Sequence, residues 1–274
     1  MTRPDPSNTT ARLARQVRFS VNPFLDSETA GANAYTAKPC GEGLALFLQL
    51  TIELLGPVQS DTGFVVNVTE IDRAARQYAI PVLAERIAAS YRQGRHIDLP
   101  ALAEMLTAAG DCLAGRFGAA CVDRLILKLN PFREIAMETN EPGAVYFSEK
   151  FEFAAMHKLW NDDFSAEQNF AVFGKCANPT GHGHNYLVDV TVKRAVDESG
   201  FQIGRFEQVV DTELIEFVDH KNLNVDVPEF GARIPTVENL AAFAWERLVG
   251  QLAPAQLDSV TVWESDRTYC TYRA

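Results

Sequence analysis

The chain repeats itself once, and this repeat limits the folds open to it more than any other feature. Asp61-Thr-Gly63-Phe-Val in the first half returns as Glu198-Ser-Gly200-Phe-Gln in the second, and Gly41-Glu-Gly43 returns as Gly181-His-Gly183. A repeat of this length predicts a duplicated domain rather than a solenoid unit. The 274 residues also suit about two domains.

Each half follows the same order of predicted elements: strand, strand, helix, helix, strand, strand. The first half is predicted to have strands at 17–21, 44–55, 123–129 and 134–137, and helices at 69–91 and 100–117. The second is predicted to have strands at 145–155, 187–192, 260–264 and 269–272, and helices at 207–218 and 237–252. Runs of strands with helices gathered between them predict an α+β fold, with the helices on one face of a sheet. The predicted boundaries are a disordered leader at 1–15, a first domain at 16–139 and a second at 145–274.

A His-x-His pair directly precedes one of these strands. His182 and His184 lead into 187–192, whose alternating, β-branched residues are typical of a strand. Residues two apart on a strand face the same side, so both imidazoles should point one way. The pair alone is a weak signal, since two histidines also fall at this spacing by chance. His157, at the end of the strand at 145–155, would join them if the two strands pair antiparallel.

Comparing the halves favours a site in the second half alone. At the positions that correspond to His157, His182, His184 and Glu264, the first half has Pro23, Glu42, Leu44 and Leu129. The fold therefore tolerates other residues at these positions, and the scaffold does not require the histidines. Three imidazoles with one open position match catalytic zinc, with iron and manganese left as alternatives.

Four further polar residues are candidates around this metal. A thiol near a metal, such as Cys176, can have its pKa lowered and act as a base; the alternatives are a fourth ligand or an inert thiol. Asp219 can orient and charge His220 for proton transfer, although such a pair is also common by chance. Glu264, between apolar strand residues, can accept two N–H bonds from a 2-aminopyrimidinone ring, or be an ordinary surface carboxylate.

Composition excludes several classes of function. A net charge of −11 argues against binding bulk nucleic acid, whose phosphates require Lys and Arg. No apolar run approaches the ~20 residues that span a bilayer, and no signal peptide is visible. Five cysteines without regular spacing favour reduced thiols in the cytoplasm.

The second half, from Phe147 to Tyr272, resembles the 6-pyruvoyl-tetrahydropterin synthase family. The matching stretches are Phe153-Ala-Ala-Met-His157-Lys-Leu159, Phe173-Gly-Lys-Cys176, Gly181-His-Gly-His-Asn-Tyr186, Asp219-His-Lys-Asn-Leu223, Pro235-Thr-Val-Glu-Asn239 and Trp263-Glu264. The Cys-x5-His-x-His spacing resembles the pyruvoyl-forming enzymes; the related 6-carboxy-tetrahydropterin synthases of queuosine biosynthesis typically have a shorter one. The first half is similar only in outline.

This resemblance implies tandem tunnelling-fold (T-fold) domains, each an antiparallel four-stranded sheet with two helices on one face. Such units assemble side by side into a barrel, which implies a homo-oligomer, a trimer or its multiple, with sites where subunits meet.

The resemblance also implies roles for the site residues. It implies Zn²⁺ on His157, His182 and His184, and Cys176 as the base. Asp219 and His220 would relay protons, Glu264 would anchor a pterin ring, and Thr236 would contact it, if only through its backbone.

The implied reaction is loss of triphosphate from 7,8-dihydroneopterin triphosphate to give 6-pyruvoyl-tetrahydropterin, in tetrahydrobiopterin biosynthesis. The alternatives are a 6-carboxy-tetrahydropterin synthase of queuosine biosynthesis and a pterin-binding assembly protein without catalysis. Intact Cys176, Asp219 and His220 argue against the last, because a binding protein does not need all three.

Overall fold

The structure, a computed structural model, describes residues 9–24, 45–196 and 200–273. It separates into two units, each with its own apolar core. The first unit comprises Met1–Phe147 and Ala195–Asp197, and the second comprises Ser148–Arg194 and Glu198–Ala274.

The first unit is a sheet of antiparallel strands with helices against it. Its strands run in the order β1-β2-β3-β4: β1 (Thr10–Val21), β2 (Leu46–Pro57), β3 (Cys121–Lys128) and β4 (Arg133–Glu138). Its helices are α1 (Val68–Ala74), α2 (Ile80–Arg92) and α3 (Leu99–Leu113), with a π-helical turn, Ala75–Ala79, between the first two. Along β2, every second side chain from Leu48 to Leu54 is buried, which defines the face that the helices cover.

The second unit repeats this order with additions. Its strands are β5 (Ala144–His157), β6 (His182–Ala195), β7 (Lys221–Asn222), β8 (Gln256–Ser265) and β9 (Thr268–Tyr272). Its helices are α4 (Ala166–Phe173), α5 (Ile203–Val210), α6 (Glu216–Val218), α7 (Leu223–Asp226) and α8 (Val237–Leu248). A π-helical turn, Asp211–Ile215, links α5 to α6, and 3-10 turns cover Gly174–Ala177 and Pro228–Gly231.

The strand order of this unit is β5-β6-β8-β9, and the short β7 pairs parallel with β5. β8 is antiparallel to β6 and to β9. On β6, Val188, Val190 and Val192 are fully buried and alternate with partly exposed residues. His182, His184 and Tyr186 continue this alternation, so the two histidines stand at the end of the covered face of the sheet.

The predicted α+β class is confirmed, while several predicted boundaries differ from the structure. β1 begins at Thr10, so residues 10–15 of the predicted leader are strand; residues 1–8 lie outside the described part. The segment between the predicted strands at 145–155 and 187–192 contains α4, whose first turn is closed by a capping box between Ser165 and Gln168.

The four cysteines that the structure describes are free, and Cys121 is exposed. None of the helices in the described residues combines the length and apolarity that a bilayer crossing needs.

Candidate active site

A tight turn directly precedes the two histidines at the start of β6. Gly181, the residue before the strand, has φ +69°, a left-handed conformation that glycine adopts without strain. A Cβ atom at this position would lie 2.8 Å from the carbonyl oxygen of His157. The turn therefore requires glycine for its conformation and for the close approach of the two chain segments.

His157 ends β5, the neighbour of β6, and meets both histidines. Its ring centroid lies 4.6 Å from that of His182 and 5.2 Å from that of His184, edge to face in both cases. The ring is 1% exposed. Its Nδ1 lies 2.7 Å from the carbonyl oxygen of Pro235, which can only accept, so Nδ1 carries the proton. The lone pair of His157 is thus on Nε2, 3.1 Å from Nε2 of His182.

This arrangement fits a metal ion. One ring nitrogen from each of the three histidines lies within 4.8 Å of the others. His182 Nδ1 and His184 Nε2 are buried without a hydrogen-bond partner among the described residues. Buried nitrogens of this kind are costly unless something satisfies them. An imidazole whose other nitrogen donates to a backbone carbonyl, as in His157, is typical of zinc sites.

Burial also favours the neutral form of His157 and His182. The pKa of His157 is lowered, mainly because burial disfavours the charged ring, against an opposing effect of the Pro235 carbonyl. The pKa of His182 is lowered by burial and by His184. A metal ligand must be unprotonated, so these shifts favour binding of a cation.

Glu264 reaches the same cluster from β8. The pairing of Leu187 with Trp263 brings the next residue of β8 opposite Tyr186, on the face that carries the histidines. Its Oε1 lies 3.5 Å from Nε2 of His157 and 3.5 Å from Nε2 of His184. The carboxylate is therefore beside the imidazoles rather than apart from them.

Cys176 lies on the 3-10 turn Gly174–Ala177, half-buried. Its carbonyl oxygen accepts a hydrogen bond of 2.9 Å from the N–H of Leu159, which ties the turn to the residues after His157. Burial raises the pKa of the Cys176 thiol, and the carboxylate of Glu264 raises it further. In these surroundings the thiol is held protonated, and a thiolate needs a nearby positive charge.

Asp219 and His220 form a pair that is anchored to β5. Asp219 Oδ2 lies 2.8 Å from His220 Nδ1, and Asp219 Oδ1 accepts a 2.9 Å bond from the N–H of Ala154. The N–H of His220 donates to the carbonyl of Ala154, and His220 has φ 55°. The pKa of Asp219 is lowered by the Ala154 bond first and by His220 second. The imidazole, 83% exposed, presents Nε2 to solvent.

His184 and His220 both line a pocket of ≈ 560 Å³. That volume suits a small-molecule ligand. Thr236 follows Pro235, whose carbonyl oxygen accepts the hydrogen bond from His157. The side chain of Thr236 caps the N-terminus of α8 by accepting a hydrogen bond from the N–H of Asn239.

Of the predicted residues, the three histidines and Glu264 come together in direct contact. Asp219 and His220 contact each other, whereas Cys176 and Thr236 make no hydrogen bond to a histidine side chain among the described residues.

Two residues of the site were not predicted. Tyr186 is 1% exposed, stacks on Phe153 at 4.8 Å and has its hydroxyl 3.4 Å from His157 Nδ1. Its place in the alternation after His182 and His184 was a usable signal. Asn224 exchanges two hydrogen bonds with the backbone of Lys158, and no local pattern indicates such a long-range contact.

Comparison with known proteins locates the similarity in the same part of the chain. The 6-pyruvoyl tetrahydropterin synthase family matches residues 146–274. The 6-pyruvoyl tetrahydrobiopterin synthase of Homo sapiens is 36% identical over 129 residues, 46% of this chain and 89% of that protein. The protein of the same name from Dictyostelium discoideum is 36% identical over 124 residues, 44% of this chain and 90% of that protein. The structure of 6-pyruvoyl tetrahydropterin synthase from Caenorhabditis elegans has 30% identity and a TM-score of 0.45, covering 48% of this chain and 96% of that one. Because the chain is 36% identical to the human protein over 89% of that protein's length, it belongs to the 6-pyruvoyl tetrahydropterin synthase family.

Proposed function

We propose that this chain is a Zn²⁺-dependent lyase that converts 7,8-dihydroneopterin triphosphate to 6-pyruvoyl-tetrahydropterin with loss of triphosphate. The observation that carries the proposal is the cluster of His157, His182 and His184, together with a Cys176 thiol that senses the carboxylate of Glu264 in that cluster. The names of the relatives support the product, and the four free cysteines among the described residues support a reducing compartment, the cytoplasm.

The three histidines would hold the metal through their unprotonated nitrogens. Bound Zn²⁺ would supply a Lewis acid to the substrate side chain and a positive charge that favours the Cys176 thiolate. Cys176 would then take a proton from the substrate carbon. Without a cation, the raised pKa of the thiol makes it a poor base at neutral pH.

Asp219 and His220 would return a proton. Asp219 holds Nδ1 of His220, so that Nε2 is free to exchange a proton with a ligand in the pocket that His220 shares with His184. Thr236, at the start of α8, would contribute a contact to the pterin ring through its backbone.

The two units would be tandem T-fold domains, the first without a metal site, and chains would assemble into a barrel as a trimer or its multiple. β9 supports assembly, because it ends the strand order of its unit and exposes Tyr269 and Tyr272. Light scattering of the purified protein should give a mass that is a multiple of three chains. A monomer at micromolar concentration would contradict this part of the proposal.

The test is to incubate Zn²⁺-loaded protein with 7,8-dihydroneopterin triphosphate and identify the products by mass. Triphosphate with a pyruvoyl pterin is the expected result. Acetaldehyde with a carboxy pterin would assign the queuosine branch instead. Tight pterin binding without any product would favour the binding protein.

Cys176→Ala should lose turnover and keep bound Zn²⁺ and pterin affinity. The matched control is Cys270→Ala, because burial also raises the pKa of that thiol, which lies on β9. Full turnover in Cys176→Ala would remove this residue from the role of base.

A further inference from the structure

The first unit contains a pocket of ≈ 710 Å³ that the proposed reaction does not use. It is lined by Leu106 and Gly110 of α3, by Val122 and Leu125 of β3, and by Met137 of β4, among others. All of its lining residues belong to the first unit. A mostly apolar pocket of this size is typical of small-molecule sites.

The internal repeat identifies the same place in the second unit. α3 ends at Leu113 and α8 ends at Leu248, and both leucines are fully buried. The second residue after each leucine is a glycine with positive φ, Gly115 at 70° and Gly250 at 79°. The helix ends therefore correspond at an offset of 250 − 115 = 135 residues.

The strands that follow keep this offset. Leu125 pairs with Met137 across β3 and β4, and Val260 pairs with Tyr272 across β8 and β9. Val260 lies 135 residues after Leu125, and Tyr272 lies 135 residues after Met137. The end of α3 and the two strands after it therefore match the end of α8 and its two strands with one offset.

Two aromatic rings of the second unit stand at positions that border the pocket in the first. Trp245 corresponds to Gly110. Tyr272 corresponds to Met137. The rings of Trp245 and Tyr272 pack on each other, with their centroids 5.7 Å apart. The pocket is therefore the space that the first unit leaves open where the second unit has an aromatic pair.

The charges around the pocket limit what it can bind. Its charged lining residues are Asp111 and Glu138, and no lysine, arginine or histidine is among the described residues that line it. Oε1 of Glu138 lies 3.8 Å from Nε of Arg124, which offsets its charge, so Asp111 is the main charge at the pocket. An anion such as a phosphate ester would be repelled there, whereas a ring N–H or an amine can donate to a carboxylate.

We propose that this pocket binds small planar aromatic molecules, neutral or cationic, in the place of the missing ring pair. A bound ring would bury the apolar side chains of Leu106, Val122 and Leu125, which is favourable. The site is independent of the proposed reaction, whose substrate carries a triphosphate that the pocket excludes. It gives the first unit a binding function of its own.

The probes are indole, tryptamine and indole-3-acetate, which share one ring system and are neutral, cationic and anionic. Each is titrated against the full, Zn²⁺-loaded chain, and its dissociation constant is measured by ligand-observed NMR. Indole and tryptamine are expected to bind with dissociation constants of about 1 mM or lower. Indole-3-acetate should bind at least about 10-fold more weakly than tryptamine, because of Asp111.

Two variants block the pocket with residues copied from the second unit. The first is Gly110→Trp combined with Leu125→Val; the valine makes room, because a Cβ at Gly110 would lie 3.1 Å from Cδ1 of Leu125. The second is Met137→Tyr, which tests the proposal even where the double variant does not fold. Glu104→Trp, at an exposed position of α3, is the matched control. Circular dichroism checks that each variant is folded.

Both blocking variants should weaken indole binding by about 10-fold or more, with Glu104→Trp and His182→Ala unchanged. Unaltered indole affinity in a folded blocking variant would overturn the proposal. Loss of indole binding in His182→Ala would also overturn it, because the probe would then lie in the histidine cluster. Wild-type protein that binds none of the probes, with a lower oligomer mass in the double variant, would mean that a side chain of a second copy fills the pocket instead.

Discussion

At the scale of single residues, Gly181 is the position where the backbone most constrains the site. Gly181→Ala would force φ +69° on a residue with a Cβ and bring that atom 2.8 Å from the carbonyl oxygen of His157. We expect a loss of at least about 1–3 kcal/mol in the free energy of unfolding, with weaker metal binding, measured by urea denaturation and Zn²⁺ titration.

The control is two residues away. A Cβ at Gly183 would meet its nearest atom, the carbonyl oxygen of Ala155, at 3.5 Å, and Gly183 has no positive φ. Gly183→Ala should change the free energy of unfolding by less than about 1 kcal/mol. Equal losses in the two variants would mean that the turn is not what orders the histidines.

Asp219 should contribute to stability in a pH-dependent way. Its pKa is lowered in the folded protein by the Ala154 N–H and then by His220. A lowered carboxyl pKa stabilises the fold above the unfolded pKa, about 3.9, and this contribution is lost as the pH falls through the folded value. The unfolding free energies of wild type and Asp219→Asn should therefore differ most above about pH 5 and converge on acidification.

The measurement is urea denaturation from pH 7 down to about pH 3. Asp162→Asn, at an exposed carboxylate of the same unit, is the control and should follow wild type throughout. A constant difference between wild type and Asp219→Asn across this range would contradict an electrostatic origin.

At the scale of elements, the start of α8 separates a structural role of Thr236 from a role in binding. Its side chain accepts from the N–H of Asn239 at 3.3 Å as the N-cap. Thr236→Ala should lower the free energy of unfolding by about 1 kcal/mol, whereas Thr236→Ser should restore nearly all of it. If Thr236 contacts the pterin only through its backbone, both variants should keep the wild-type KM. A KM above the wild-type value in both would indicate a contact by the methyl group, which both variants lack.

The sequence predicted most elements because alternation and periodicity are local signals. The predicted strand at 187–192 lies inside β6, which starts earlier, at His182. The prediction missed this start because glycine and asparagine have low strand propensity. The predicted helix at 207–218 is α5 and α6 with the π-helical turn Asp211–Ile215 between them. The change from α-helical to π-helical hydrogen bonding could not be predicted, because it does not alter the helix propensity of the residues.

The histidine cluster was predictable from the sequence, and the contacts that support it were less so. His157, His182 and His184 could be chosen because the first half lacks them at the paired positions. The Pro235 carbonyl that fixes the tautomer of His157 could not, because a backbone acceptor far along the chain has no side-chain signature. Glu264 was predicted as a site residue, but its distance from the imidazoles is set by the tertiary structure.

At the scale of the whole molecule, the two units share irregularities as well as element order. β2 shifts register against β3 between Glu53 and Leu54, and β6 shifts against β8 between Thr191 and Val192. Each unit also has one π-helical turn in its first long helical segment, Ala75–Ala79 and Asp211–Ile215. Bulges and π turns are specific features, so their recurrence supports duplication of one ancestral domain.

A duplication would make the number of metal sites per chain a test of what the first unit does. Among its residues the only histidine is His96, and the paired positions Pro23 and Leu129 offer no ligand atoms on their side chains; Glu42 and Leu44 lie outside the described residues. We therefore expect one Zn²⁺ per chain, measured by plasma mass spectrometry against quantitative amino-acid analysis.

Two variants make this count decisive. His182→Ala should bring the Zn²⁺ content close to zero, because two imidazoles bind zinc far more weakly than three. His96→Ala should leave it at one per chain. Two ions per chain in wild type, falling to one in His182→Ala, would mean that the first unit carries its own site. The duplicated unit would then be a second centre rather than a structural copy, and the number of reactions per barrel would double.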